Sequence, residues 1–330
     1  MKSVVRRLLF NPLSLTGLIL VVFFLGVAVA APWLAPPPRP CQPTLVYFVP
    51  YPILRLFNPE LPEPDCEPYR IPRHGFRAEP RPPNPEAWRS FPPSWRLRPM
   101  GTTEGQYDIY YGIVWGTRTA LRVGITITVC AVLIGIVLGS LAGYFGGWLD
   151  ELLMRVTEAF MAFPFLIAAI ALTAALGRGI GNIMLALIVF SWPSYARLVR
   201  GDILAVRERD YVTAARAVGA GHFRIITRHI LPNVIFPTLV VASMDIGSMV
   251  LSFSALSFLG LGAEVGYADW GQMISFAREW LLGAMGGNAL QYWYVVVFPG
   301  GAILLFVLGW NLLGDALRDV LDPRLRHIRS

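Results

Sequence analysis

Residues 210–233 have the sequence DYVTAARAVGAGHFRIITRHILPN, a polar stretch between two segments that are apolar enough to cross a membrane. Glycine permits a backbone reversal, and proline lacks the N–H that a helix interior needs. The pattern therefore predicts two short helices that are broken at 219–221 and end at Pro232. These residues are called the hairpin below. A polar helical hairpin with several arginines is unusual between two membrane spans, so we expect it to have a function of its own.

The composition of the chain indicates an integral membrane protein. Its 330 residues are 55% hydrophobic, and the mean hydropathy is +0.54. Both the hydrophobic fraction and the mean hydropathy are higher than expected for a water-soluble fold of this length. A helix needs about 20 apolar residues to span a bilayer. Six stretches meet this requirement: 13–33, 120–143, 156–176, 182–199, 234–260 and 293–313. The sequence predicts an all-α membrane protein with six transmembrane helices.

These spans divide the chain into four regions. The N-terminus and the first helix occupy 1–33, a Pro-rich loop or cap occupies 34–112, helices two to six form a core over 113–313, and a tail covers 314–330. Within the core, residues 200–232 form the polar loop that contains the hairpin.

The distribution of basic residues predicts the orientation, because arginine and lysine concentrate in short cytoplasmic loops. The side that holds the N-terminus also holds most of them: Lys2, Arg6 and Arg7, then Arg155, seven arginines between 197 and 228, and four in the tail. The short loops of the other side hold only Arg178 and Arg278. Both termini and the hairpin are therefore predicted to be cytoplasmic.

Lysine is almost absent, which excludes some chemistry. Lys2 is the only lysine among 28 basic residues. A phosphate-binding P-loop needs a lysine after a Gly-rich turn, and a Schiff base needs a lysine amine. We therefore expect that the chain is not an enzyme, that it binds no cofactor, and that any ATP is bound by another chain. For the same reason, replacing Lys2 should leave its activity unchanged.

The 34–100 segment is rich in proline and contains two cysteines. It is either a disordered tether or a small packed cap, and apolar residues between 45 and 57 favour the cap. Cys41 and Cys66 lie in this outer segment, where a disulfide is expected. Such a bond would stabilise the cap by about 3 kcal/mol. Two free thiols, or a zinc site that adds His74, are the alternatives.

The hairpin has features that suit a binding surface. Tyr211, Val212, Ala214, Ala215 and Val218 would form one compact face of small residues. Arg224 and Arg228 lie one helical turn apart and would form its rim. This pattern suits docking into a groove of a partner protein. A solvated helix that binds anionic lipid headgroups is the alternative. Metal binding by His222 and His229 is a third.

Several motifs resemble one family. Thr213-Ala214-Ala215, Gly219 and Leu231-Pro232-Asn233 are similar to the EAA loop of ABC-transporter permeases. The stretches WPSYARLVRGDIL (192–204), LSFLGLG (256–262) and NLLGDALRDVLDPRLR (311–326) resemble the dipeptide/oligopeptide/nickel import branch. The N-terminal RRLLFNPLSLTGLILVV and residues 101–124 resemble its "C" type, the second of two paired membrane subunits.

The resemblance implies a type I ABC importer permease fold in a bacterial or archaeal plasma (inner) membrane, with a Pro-rich extracytoplasmic loop between helices 1 and 2. The chain would form half of a pathway for peptides or related small solutes. Its partners would be a homologous permease, two ATPase subunits that bind ATP and Mg, an extracytoplasmic substrate-binding protein and the lipid bilayer, with no nucleic acid.

In that family the hairpin seats in the ATPase. The residues expected to couple there are Asp210, Tyr211, Ala214, Ala215, Arg216, Gly219, Ala220, Arg224, Arg228, Leu231 and Pro232. Gly219 is expected to be the most sensitive, because a side chain would clash at the reversal or against the wall of the ATPase cleft. A charge at Ala215 is expected to weaken ATPase association.

Two departures from the family affect charge. Thr213 and Phe253 stand where the family often has glutamate. An ion-coupled secondary transporter is the main rival, and it would need ionisable groups within the membrane. Asp245 and Glu158 are the candidates for the translocation path. Asp245 should face that path or a neighbouring helix, because a lipid-exposed carboxylate costs about 3 kcal/mol. A membrane receptor is a third option, weakened by the lack of a signalling domain.

Overall fold

The computed structural model describes residues 12–39, 41, 66–281 and 289–321. Lys2 and the apolar residues between 45 and 57 lie outside the described residues. Apart from short 3-10 turns, these residues form ten helices: α1 Pro12–Leu34, α2 Ile109–Phe145, α3 Gly147–Met161, α4 Phe165–Leu176, α5 Ile180–Val206, α6 Asp210–Ala217, α7 His222–Leu261, α8 Trp270–Ser275, α9 Arg278–Leu281 and α10 Trp293–Leu321. The predicted all-α class is confirmed.

In the described part of the chain, five helices and one bent pair of helices meet the length and composition needed to cross a membrane. The helices α1, α2, α5, α7 and α10 are each long and apolar enough to cross a membrane. The sixth segment is a pair, because α3 and α4 qualify together and are bent by 85° at their junction. The count is therefore five spans, or six if the bent pair is one span, and the predicted six agrees with the second count. Helix α2 contains the predicted second span, 120–143, and begins before it, at Ile109.

The third predicted span, 156–176, is not one helix. Its break falls at Ala162–Pro164, between α3 and α4. Proline has no N–H to donate, and it disfavours the helical conformation in the residue before it. Pro193 does not have this effect, since α5 continues through it.

The hairpin does not end at Pro232, so that prediction is wrong. The break at 219–221 is confirmed, but the second helix continues from His222 into the fifth span as α7. Residues Ile225–Ile230 form a π turn, in which the Leu231 N–H donates to the carbonyl of Ile226. This wider turn changes the hydrogen-bond register just before the proline, and the helix proceeds without stopping.

The chain forms two compact units. Of the described residues, the first unit contains 12–19, 123–252 and 307–321, and the second contains those that lie within 20–122 and 253–306. In the first unit, α2 and α5 are in close contact through glycines. Gly135, Gly139 and Gly143 follow one another at four-residue intervals on α2, and each lies against α5 between Tyr195 and Ile203. Small residues at this spacing let two helix backbones approach.

The second unit contains the described part of the Pro-rich segment, which is ordered by side-chain hydrogen bonds to its backbone. The indole N–H of Trp115 donates to Ala35 O at 2.8 Å, and the hydroxyl of Tyr111 donates to Pro68 O at 2.7 Å. Tyr69 stacks on Tyr267, with ring centroids 5.5 Å apart. These contacts hold residues 66–74 near the start of α2.

A disulfide joins Cys41 and Cys66, with their Cα atoms 5.2 Å apart. The two sulfurs are therefore not thiolate ligands for zinc. His74 is also engaged, because its Nε2 lies 2.9 Å from Oδ2 of the buried Asp108. Asp108 in turn accepts a hydrogen bond from the N–H of Tyr111 through Oδ1, at 2.8 Å.

A buried carboxyl group orders the loop after α7. Asp269 accepts hydrogen bonds from the Ser257 hydroxyl and from the N–H of Gly271. The second bond makes Asp269 the N-cap of α8. Burial raises the pKa of Asp269 to about 6, and the hydrogen bonds oppose part of this rise. Gln272 closes the same loop by accepting from the Gly266 N–H and donating to the carbonyl of Ala263.

Candidate functional site

The hairpin reverses its direction at Gly219. The N–H of Gly219 donates to Arg216 O at 2.9 Å, and the N–H of Ala220 donates to Ala215 O at 3.0 Å, which together form a Schellman motif. Gly219 has a φ of +81°, a conformation that favours glycine. A Cβ atom built there meets nothing within 4 Å. The expected clash at the reversal is therefore wrong, and the restriction is the backbone conformation itself.

The inner side of the hairpin packs on its own chain. Eight buried residues form this cluster, called the hairpin core: Tyr144, Val199, Ile203, Val212, Ala215, Ile225, Ile230 and Val234. Ala220 and Leu231 pack against it. The expectation that Val212 and Ala215 belong to an outward face is wrong, because Ala215 is only 8% exposed and Val212 is fully buried. Helical periodicity shows that small residues share one face, but not whether that face packs on the same chain or on a partner protein.

The outer side of the hairpin is exposed. It carries Asp210, Tyr211, Thr213, Ala214, Arg216, Val218, Phe223, Arg224, Arg228 and Pro232. Two of these side chains are large, apolar and almost fully accessible, since Val218 is 85% exposed and Phe223 is 80% exposed. Arg216 and Arg224, which lie before and after the reversal in the chain, are exposed as well. This arrangement combines a fixed backbone, an apolar tip and a basic rim.

Tyr144, at the end of α2, links the hairpin to the turn between α2 and α3. Its hydroxyl and Nδ1 of His222 share a hydrogen bond of 2.9 Å. The guanidinium of Arg216 lies over the Tyr144 ring, 5.4 Å from the ring centre. One side chain thus contacts both arms of the hairpin, Arg216 before the reversal and His222 after it.

The corner between α2 and α3 is fixed to α5 by two arginines. Arg200 forms a two-pronged ion pair with Asp150, with Nε 2.5 Å from Oδ1 and Nη2 2.7 Å from Oδ2. Arg207 donates through Nη1 to Gly143 O at 2.9 Å. Paired hydrogen bonds of this kind restrict geometry as well as supplying energy.

The two candidates for the translocation path are in different surroundings. Asp245 on α7 is partly buried and accepts a hydrogen bond of 2.6 Å from the Tyr195 hydroxyl of α5. Glu158 on α3 is exposed and lies 3.5 Å from Arg155. The structure does not bring these two carboxylates together with the hairpin. Of the two positions where glutamate is usual, Thr213 is exposed and Phe253 is buried.

Several residues of this region were missed by the sequence analysis. Phe223 was not selected, although an isolated aromatic residue in a polar hairpin was a usable signal. Tyr144, Asp150 and Arg200 were also missed, because their partners are 50 or more residues away in the chain. No local pattern in one sequence indicates such contacts.

Comparison with known families agrees with this arrangement. Residues 135–327, more than half of the chain, match the model described as "Binding-protein-dependent transport system inner membrane component". This range includes the whole hairpin and its core. The chain belongs to that family. Residues 1–44 also match the model for the N-terminal transmembrane domain of oligopeptide transport permease C.

Curated relatives of this transport component include the glutathione transport system permease protein GsiD of Shigella flexneri and of Escherichia coli. Each is 42% identical over 180 residues, which is 54% of this chain and 57% of the relative. The chain thus spans little more than half the length of the curated relatives it matches. The protein is an inner membrane component that crosses the membrane several times.

Two solved structures are similar to this transport component. The MetNI methionine ABC transporter has 24% identity and a TM-score of 0.46, with 64% of this chain and 97% of that chain covered. An amino acid ABC transporter crystallised with histidines has 15% identity and a TM-score of 0.45, with 62% and 91% covered.

The different surroundings of Ala214 and Ala215 lead to a prediction. Ala215→Asp should loosen the hairpin within this chain, because it places a charge without a partner in the hairpin core, at a penalty of about 1–3 kcal/mol or more. Ala214→Asp, on the exposed side, should leave the packing intact. Limited proteolysis of the purified chain should cleave residues 206–224 faster in Ala215→Asp only. Equal cleavage in both variants would contradict the inward placement of Ala215.

Proposed function

We propose that the chain is the permease subunit of an ATP-driven importer for peptides or related small solutes. It forms half of the translocation pathway and couples to ATPase subunits through the hairpin. The family identifies a membrane component of a binding-protein-dependent system. The fixed hairpin with its exposed apolar tip is the observation that extends this family assignment to coupling.

The geometry of the hairpin supports docking to a protein. Val218 and Phe223 are about as accessible as side chains can be, while the backbone that carries them is held by the hairpin core. Exposed aromatic residues on an ordered backbone are typical anchors of protein interfaces, because little conformational freedom is lost on binding. Arg216 and Arg224 lie on either side of the reversal, where they can pair with carboxylates around a cleft.

The remaining partners belong to the same proposal. A second homologous permease completes the pathway, two ATP-binding subunits hold ATP and Mg, and an extracytoplasmic binding protein delivers the solute. Both termini and the hairpin lie in the cytoplasm, as the distribution of arginines indicates. The glutathione permease relatives support a peptide-like solute. Transport proceeds by alternating access, which requires that ATPase contacts differ in free energy between two states of the permease.

Phe223→Glu tests the docking of the hairpin. We expect it to weaken association with the ATPase subunits by about tenfold or more, since it removes an apolar anchor and adds a carboxylate to the interface. The measurement is the amount of ATPase that co-purifies with the tagged permease, followed by substrate-stimulated ATP hydrolysis in liposomes.

The matched control is Phe76→Glu, because Phe76 is 92% exposed and lies in the Pro-rich segment. It should co-purify the ATPase subunits normally. Full uptake by the permease without any ATPase subunit would disprove the proposed function. Normal ATPase association in Phe223→Glu would remove Phe223 from the interface.

A further inference from the structure

We propose that Tyr144 is a positioning residue that transmits movement of the hairpin to the corner between α2 and α3. The corner is defined as residues 142–150. The inference rests on the proposed function, since it concerns where an ATP-driven movement of the hairpin is carried. It assigns a role to a residue outside the hairpin.

Tyr144 contacts both arms of the hairpin. The hydrogen bond to His222 reaches the first residue of α7, and the Arg216 guanidinium covers the ring from α6. Phe145 adds a ring contact with His222 at 5.7 Å between centroids. Tyr144 is itself buried, at 7% exposure, so water does not compete freely for these contacts. A rotation or shift of the hairpin must therefore move the Tyr144 side chain or break its contacts.

The corner is constructed so that it moves as one piece. Gly146 and Gly147 both have positive φ, at +66° and +58°, and they produce a sharp change of direction between α2 and α3. The Asp150–Arg200 ion pair and the Arg207 hydrogen bond to Gly143 O fix the two sides of this turn to α5. Displacement of Tyr144 is therefore passed to α3 and α5 and is not absorbed by a flexible loop.

This contact gives the hairpin a third mechanical connection. Two connections are covalent, backward to α5 through residues 207–209 and forward into α7. The third is non-covalent and reaches α2 and α3, which are distant in sequence. It makes the movement of four membrane segments depend on one hairpin, whereas the covalent connections alone would reach two.

The experiment uses three variants of this contact and one control. Tyr144→Phe removes the hydroxyl and keeps the ring. His222→Ala removes the partner of that hydroxyl. Because His222 is exposed, this variant should fold, and it tests the same contact even if Tyr144→Phe fails to assemble. His222→Asn keeps a polar atom at the place of Nδ1 and should restore the contact. Tyr110→Phe is the control, because it removes a tyrosine hydroxyl at the N-terminal end of α2, where it donates to Leu34 O at 3.1 Å.

Two measurements test separately whether Tyr144 holds the hairpin in place and whether this contact affects transport. Amide hydrogen exchange of the purified permease should be about two- to tenfold faster at residues 216–224 in Tyr144→Phe and in His222→Ala, as expected for the loss of one hydrogen bond. In the reconstituted complex, the same variants should bind ATPase and hydrolyse ATP at the basal rate but transport less solute per ATP. His222→Asn and Tyr110→Phe should behave as the unchanged protein.

Three outcomes would overturn the inference. Unchanged exchange in both variants would show that Tyr144 does not anchor the hairpin. Faster exchange with normal transport per ATP would show that the anchor transmits nothing. Failure of His222→Asn to restore either quantity would assign the loss to packing. If the unchanged complex shows no ATP-driven uptake, the proposed function fails and the exchange result still stands.

Discussion

Gly139→Leu should leave no stably folded protein. A Cβ atom at Gly139 would lie 2.5 Å from the carbonyl oxygen of Ala196 and 3.0 Å from Cβ of Val199. These neighbours belong to the α5 backbone or lie next to it, so they cannot move aside as the end of a flexible side chain can. The two helices would have to separate, and the contacts at Gly135 and Gly143 would be lost with them. We expect a destabilisation of about 3 kcal/mol or more.

The control for this prediction lies on the partner helix. Gly201 is helical, and a Cβ built there meets nothing within 4 Å. Gly201→Leu should therefore assemble and melt as the unchanged protein does. The measurement is the elution profile and melting temperature of the detergent-solubilised protein. A monodisperse Gly139→Leu protein with an unchanged melting temperature would contradict the close contact of α2 and α5.

Gly219→Arg should abolish ATP-driven uptake while the permease still inserts and pairs with its partner. At φ +81° a residue with a Cβ is disfavoured by about 1–2 kcal/mol, so the Schellman motif would be weakened. The new side chain would also project from the turn between Val218 and Phe223. Its charge and length would then oppose the docking of the tip. Uptake and co-purified ATPase are the two quantities to measure.

Three companion variants separate the backbone from the side chain. Gly219→Asn should retain most uptake, because asparagine tolerates the left-handed conformation. Gly219→Ala should lose part of it. Gly221→Arg places the same side chain at a φ of −67°, and it should assemble with an undisturbed reversal. A fully active Gly219→Arg protein would show that neither the turn nor the tip takes part in coupling.

The sequence predicted those features that depend on local chemistry. Long apolar stretches predict spans because the bilayer sets their length, and Gly219 to Gly221 predicted the break because glycine permits positive φ. Pro164 was a usable signal for the break between α3 and α4, because proline has no N–H to donate. The predicted helix end at Pro232 is wrong, because the effect of a proline depends on the hydrogen-bond register before it. The π turn at Ile225–Ile230 sets that register, and it has no recognisable local signal.

Long-range contacts were not predictable from one sequence. Ala214 and Ala215 are chemically identical, yet one is exposed and the other lies in the hairpin core. The difference is imposed by Ile203 of α5 and by Ile225 and Ile230 of α7. Tyr144 and His222 likewise meet because three helices bring them together. The sequence could therefore predict where the candidate site lies, but not which of its side chains face outward.

The break between α3 and α4 constrains where lipid can be. The 12 residues of α4 extend about 18 Å, well short of the roughly 30 Å hydrocarbon layer. The last carbonyls of α3 and the first N–H groups of α4 have no partners within their own helices, and Met161–Pro164 is exposed on this chain. Acyl chains offer no hydrogen bonds, so these groups must be satisfied by water or by another protein. At this point the protein surface must therefore face water or a neighbouring protein and not acyl chains.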